Sequence, residues 1–183
     1  MTAASPPLSS DGQLYVFGYG SLIWRPGFAH DQAHPALLRG FHRRFCLWSR
    51  LYRGTPEAPG LVLGLDRGGA CRGVAFRVPA AQARAVLAYL EERENPAGET
   101  VYHRRVLPVR LLDSGRCVTA ITYVANRAHQ AYCRPPRRGG RPRDCAGGRN
   151  DGAEPGLPAE YRGPSEGVGG QGFRPGPDCG PAA

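Results

Sequence analysis

The chain has 183 residues, room for one domain with a real core. Its 24 basic residues are all Arg, its net charge is +9, and it holds 26 Gly and 18 Pro. No apolar run is long enough to span a membrane, and the positive charge bears on encounter with nucleic acid rather than on fold.

Residues 1–13, beginning "MTAASPPLSSDG", lack the charged start and apolar centre of a signal peptide and read as a disordered lead-in. Then "LYVFGYGSLIW" runs four strand-forming residues, Leu14 to Phe17, into Gly18-Tyr19-Gly20-Ser21. A P-loop would need G-x-x-x-x-G-K-[ST], and the chain has no Lys. A dinucleotide fingerprint would need a third Gly and a following helix. A nucleophile elbow would need G-x-S-x-G, whose frame Ser21 does not fit. Two readings remain: a tight glycine bend, which the bare pattern favours, or a nest of backbone N–H groups that holds a carboxylate or an oxyanion.

"RRFCLWS", "LVLGL", "CRGVAFRV", "HRRVLPVRLL" and "CVTAITYVA" read as strands, separated by "RGTPEAPG", "DRGG" and "DSGR" as turns. Arg43 and Arg44 alternate on a strand, so at most one faces a pocket. The body's Arg residues are dispersed, which suits solvated faces or substrate clamps better than a groove-binding stripe. Cys46, Cys71 and Cys117 sit in apolar, strand-like text and read as buried free thiols of a cytoplasmic protein. No cysteine pair has zinc-ligand spacing, so no metal site is expected.

"PAAQARAVLAYLEERE", Pro79 to Glu94, has helical spacing, with Asn95-Pro96 as its stop. Ala83, Val86, Leu87 and Leu90 form its apolar stripe. Glu94 lies about 40° from Leu90, on that stripe, whereas Glu91 is about 100° and Glu92 about 200° away. Glu94 therefore points to the core or a cavity, and it sits in the last helical turn, where the dipole disfavours a negative charge. Both effects raise its pKa, which suits a general acid/base. Periodicity gives equal weight to fraying at Asn95-Pro96, which would swing Glu94 to solvent.

After Tyr132 the composition breaks. Residues 133–183 hold 13 Gly and 9 Pro with almost no large aliphatics, so they read as a low-complexity tail that cannot bury a core. The tail carries 8 Arg against 6 acids, so most of the net charge belongs to the body, 14–132.

In "VFGYGSLIW", "RRFCLWS", "YRGTPEAPGLVLGL", "CRGVAFRV" and "AYLEERE", the chain resembles the ChaC-type gamma-glutamylcyclotransferases, in order and spacing, from Leu14 to about Tyr132. The resemblance implies an α+β fold, a small mixed-sheet β-barrel with flanking helices. It also implies a cytoplasmic enzyme that cleaves glutathione to 5-oxoproline and Cys-Gly with no metal or cofactor, no nucleic-acid partner and no membrane. Carried over, the family's catalytic glutamate falls on Glu94, and its substrate loop on Gly18, Tyr19, Gly20, Ser21, Leu22 and Ile23. Arg53, Tyr102 and Tyr123 are weaker site candidates, the tyrosines equally readable as core aromatics; His103 and His129 read as surface or strand residues. Rival readings are a cyclotransferase on other gamma-glutamyl amines, an inactive truncated binding module, and nucleic-acid binding through dispersed Arg.

The family continues with a "GPN-x-x-Y-L" stretch and a closing helix, which residues 133–183 lack. Read one base later, the genetic code lets "NDGAEPGLPAEYR" become "MTGPNRDYLRNTV". Upstream and downstream text becomes helix-like in the same frame. The tail is thus expected to be a frameshifted form of the family's closing segment, with the C-terminal helices lost.

Overall fold

The first strand, β1 (Leu14–Gly18), is buried at every position. That explains its unbroken apolar text, since a strand covered on both faces needs no polar alternation. Tyr15 and Phe17 belong to one core cluster with Leu38, Leu65 and Val109, while Leu14 and Val16 pack with the helix residues Ala83, Val86 and Leu90.

The structure, a computed structural model, describes residues 6–49, 55 and 58–133. Among them β1 is followed by β2 (Gln32–Ser49), β3 (Gly60–Val78), α1 (Ala83–Glu94), β4 (Tyr102–Leu111) and β5 (Cys117–Ala125). The strands close a barrel in the order β1-β3-β2-β4-β5. β1 runs parallel to β5, and the other pairings are antiparallel, so the sheet is mixed as expected. Closure removes the free edges that an open sheet would expose. Arg53 and the residues from 134 on, with the frameshift reading attached to them, lie outside the described residues. From Ser9 the lead-in is packed: Ser9 is buried, and its Oγ accepts from the Thr119 amide at 3.2 Å.

The helix lies where its periodicity predicts, with Ala83, Val86 and Leu90 buried, and it follows a short 3-10 turn at Ala80–Gln82. Two expectations need correction. "DRGG" does not end a strand: β3 runs through it for 19 residues. Gly68 and Gly69 take positive φ, as does Gly40 on β2 opposite, and the register shifts between Arg39 and Phe41. A β-bulge needs the same left-handed conformations as a turn, so the glycines signalled either one. Cys117 is not a buried thiol; it is exposed at the start of β5 and disulfide-bonded. Cys46 and Cys71 are free and buried, and burial pushes both thiols up to about 11.

Past its short pairing with β4 at Ala36–Leu38, β2 continues with β3 as a two-stranded ribbon. The segment after β5 folds back onto it: the Trp48 amide donates to Ala131 O at 2.8 Å, and Leu47 bridges to Tyr132. Asp66, almost wholly buried on β3, holds that segment down. Its carboxylate accepts from Arg127 Nε at 2.7 Å, Tyr132 Oη at 2.9 Å and the Arg67 amide at 2.9 Å.

Candidate active site

A cavity of about 1250 Å³ opens where four pieces of chain meet. The loop after β1 contributes Tyr19, Gly20, Ser21 and Leu22. The end of α1 contributes Tyr89, Arg93 and Glu94. The β2–β3 ribbon adds Leu47, Trp48, Val62 and Leu63, and the segment after β5 adds His129, Gln130 and Ala131. Tyr102 and Tyr123 line it too, so the two tyrosine candidates lie on its wall, Tyr123 buried and Tyr102 half-buried.

Glu94 faces this cavity with its side chain 15% exposed. The fraying alternative fails because α1 is fastened on both sides of Glu94. Asn95, buried, donates from Nδ2 to Glu91 Oε1 at 2.8 Å and accepts from the Tyr102 amide at 3.0 Å. Arg93 Nη1 donates to Arg25 O at 2.7 Å. Burial pushes the Glu94 carboxyl above its ordinary value, and the Arg93 guanidinium, with Nε 3.7 Å from Oε1, offsets this only in part. Among the described residues no hydrogen bond reaches the Glu94 carboxylate from a neighbouring side chain or amide. Glu92 is exposed as expected; Glu91 is exposed as well and accepts from Tyr123 Oη at 3.3 Å.

The loop starts as a single turn: the Ile23 amide donates to Gly20 O and the Arg25 amide to Ser21 O, both at 2.9 Å. Among the described residues the amides of Gly20, Ser21 and Leu22 find no backbone acceptor. This is the arrangement at the start of a helical turn that suits an anion. The six loop residues divide by role. A Cβ at Gly18 would meet Leu22 Cβ at 3.0 Å and Phe76 at 3.2 Å, so this glycine allows close packing. At Gly20 a Cβ would meet only Leu63, at 3.8 Å, on the cavity side. Tyr19 is buried, and its hydroxyl donates to Tyr123 O at 3.0 Å. Ser21 Oγ accepts from Arg93 Nη2 at 3.0 Å, which leaves its own hydrogen to donate elsewhere. Leu22 is buried but touches the cavity; Ile23 packs in the core beneath α1, and neither it nor Gly18 reaches the cavity wall.

A model of ChaC-like proteins matches residues 14–139. The chain belongs to the ChaC-like family. Curated relatives of this ChaC-like chain include the glutathione-specific gamma-glutamylcyclotransferase of Schizosaccharomyces pombe, 43% identical over 104 residues, which are 48% of this chain and 50% of that one. The protein of the same name in Escherichia coli is 37% identical over 125 residues, covering 67% and 52%. Glutathione-specific gamma-glutamylcyclotransferase 1 of Mus musculus is 34% identical over 143 residues, covering 73% and 61%. The chain thus spans roughly half to three-fifths of the length of these relatives. Its fold is similar to the crystal structure of the yeast gamma-glutamyl cyclotransferase specific to glutathione, with a TM-score of 0.59 at 23% identity over 72% of this chain and 75% of that one.

Several features of this ChaC-like site escape the sequence. Trp24, Trp48 and Tyr89 line the cavity, and so does His129, whose Nδ1 accepts from the Ala131 amide at 3.1 Å. Neither Arg43 nor Arg44 lines it; Arg44 instead reaches Asp66 at 3.7 Å. Among the described residues no group of three His, Cys, Asp or Glu could hold a metal ion, and no helix is long and apolar enough to cross a membrane.

Proposed function

We propose that the chain cleaves glutathione by closing the gamma-glutamyl group on itself, with Glu94 as the acid/base and the Gly20–Leu22 turn as the anion-holding corner. The carrying observation is that one cavity joins a carboxylate of raised pKa to a turn whose Gly20, Ser21 and Leu22 amides lack backbone acceptors among the described residues. The substrate's alpha-ammonium loses a proton to the Glu94 carboxylate. The freed amine nitrogen attacks the gamma-carbonyl carbon and forms a five-membered ring. The tetrahedral oxyanion then collapses, the bond from that carbon to the cysteinyl nitrogen breaks, and Glu94 returns a proton to the departing amine. The products are 5-oxoproline and Cys-Gly, with no water consumed.

Each residue type has a physical reason. A carboxylate of raised pKa both takes and gives a proton. The loop amides, with the Ser21 hydroxyl, suit the glutamyl carboxylate or the developing oxyanion. Ring closure is intramolecular, so holding the substrate folded supplies much of the rate. The cytosol is the compartment that the family resemblance implies. The proposal is tested by incubating the protein with glutathione and measuring 5-oxoproline. Release by the wild-type chain that Glu94→Gln abolishes supports it; release undiminished in Glu94→Gln removes Glu94 from its role. Faster turnover of other gamma-glutamyl amines than of glutathione would favour the broader cyclotransferase reading.

We further propose that the text after Tyr132 is the family's closing segment in a shifted frame. The recovered "GPN-x-x-Y-L" pattern supports this. Resequencing the gene tests it: an unbroken frame in independent reads would overturn it.

A further inference from the structure

Arg93 is the least expected residue of the site, because a helical arginine next to a glutamate reads as a solvated charge. Instead its side chain is only 19% exposed and both terminal nitrogens of its guanidinium donate hydrogen bonds. Nη1 donates to Arg25 O at 2.7 Å, Pro26 O at 3.2 Å and Tyr89 Oη at 2.9 Å, while Nη2 donates to Ser21 Oγ at 3.0 Å. Nε stands 3.7 Å from Glu94 Oε1, an ion pair without a hydrogen bond. The backbone is shaped to receive this group. Gly27 has φ +73°, and a Cβ there would overlap the Tyr89 hydroxyl and come within 3.4 Å of Arg93 Nη1.

We propose that Arg93 is a positioning residue: one guanidinium locks the loop Ser21–Pro26 to the helix end that carries Glu94 and turns the Ser21 hydroxyl hydrogen toward the cavity. The proposal rests on the reading of Glu94 and the loop given above, and assigns what holds the two at a fixed separation. The planar fork of five donors is what makes this possible. A lysine ammonium is a point charge and cannot bridge two backbone carbonyls, a phenol and a hydroxyl at once. The two duties of Arg93 are therefore separable. The fork sets loop geometry and hence substrate binding. The charge sets how readily Glu94 ionises, since a cation at this distance favours the carboxylate against the opposing effect of burial. Among the described residues the other titratable groups facing the cavity are Tyr19 and Tyr123, whose hydroxyls burial keeps protonated, Tyr89, Tyr102, Arg25, His129, and Glu92 with Glu99. Among the described residues Arg93 is the cation beside Glu94 itself.

The test compares wild type, Arg93→Met and Arg93→Lys by steady-state kinetics on glutathione across pH. Arg93→Met is expected to raise KM about tenfold or more and to move the acidic limb of kcat/KM upward. Arg93→Lys is expected to return the limb to its wild-type position while KM stays raised. Unchanged KM and limb in both variants, with losses that follow only the folded fraction, would overturn the proposal. Two readings in the unliganded protein separate its failure from that of the proposed function. They are the carbon-13 titration of the Glu94 carboxyl and the emission of Trp24 in a Trp48→Phe background. If wild type releases no 5-oxoproline, the function falls. Arg93→Met must still raise the Glu94 midpoint and alter the Trp24 emission, and no change in either would overturn the positioning role.

Discussion

Two carboxylates in this barrel have opposite fates. Asp66, on the ribbon, keeps 1% of its side chain exposed; Glu94, on the cavity, keeps 15%. Burial pushes both upward, yet Asp66 ends below its ordinary value and Glu94 above. The difference lies in the donors. Arg127, Tyr132 and the Arg67 amide all bond to Asp66 and outweigh its burial. Among the described residues Glu94 has one cation nearby, and that cation directs its hydrogen bonds to the loop and to Tyr89. Exposure alone therefore does not decide which way a carboxylate's pKa moves; the supply of N–H and O–H groups does.

The comparison breaks most visibly under mutation. Glu94→Gln is expected to cut 5-oxoproline release by about 10²–10⁴-fold, with no loss of thermal stability, as measured by turnover and melting of the same sample. Asp66→Asn is expected to do the reverse to the fold. Losing charge-assisted hydrogen bonds of this kind costs about 2 kcal/mol, a drop in Tm of roughly 10 °C by calorimetry. If Asp66→Asn melted like wild type, the ribbon clamp would not exist.

The pH dependence of stability sharpens the contrast. The folded chain holds the Glu94 proton at pH values where the unfolded chain has lost it. Its ionisation thus costs stability as pH rises through the ordinary 4.5 to the folded value, and acidification from neutral pH recovers that stability. Asp66 runs the other way: its contribution is complete above the ordinary 3.8 and is lost as pH falls through the lowered folded value. Melting curves across pH should therefore show Glu94→Gln removing a gain between neutral pH and about 4.5, and Asp66→Asn removing a loss below about 3.8. The smallest effect is expected of Tyr132→Phe, which deletes one donor to Asp66 at a cost of about 1 kcal/mol, read as a drop of a few degrees in Tm.

The two carboxylates were not equally legible in the sequence. The inward position of Glu94 was half legible: α1 keeps a clean period that puts it on the apolar face, but that period gave equal weight to fraying at Asn95-Pro96. The loop was legible as a sharp bend, because four apolar strand residues run directly into Gly18-Tyr19-Gly20, but its role came only from the family resemblance. The division between Gly18, which packs, and Gly20, which faces the cavity, could not, because both are simply glycines until their neighbours are known. Asp66 was hidden inside "DRGG", where an Asp before two glycines reads as a turn; its partners Arg127 and Tyr132 come from a segment some sixty residues later. Arg93 was hidden for the same reason, since its acceptors are backbone carbonyls, which no residue type announces. Cys117 misled because strand-like text does not say which face of a strand meets solvent. Closed barrels place much of their chemistry in such long-range contacts, and periodicity reports only the local part.

The pH profile of 5-oxoproline release from glutathione is the most direct test of Glu94 as the base. Wild type is expected to show an acidic limb in kcat/KM with its midpoint above the ordinary 4.5, abolished with the activity in Glu94→Gln. A limb at or below that value, or one that persists with full activity in Glu94→Gln, would contradict it.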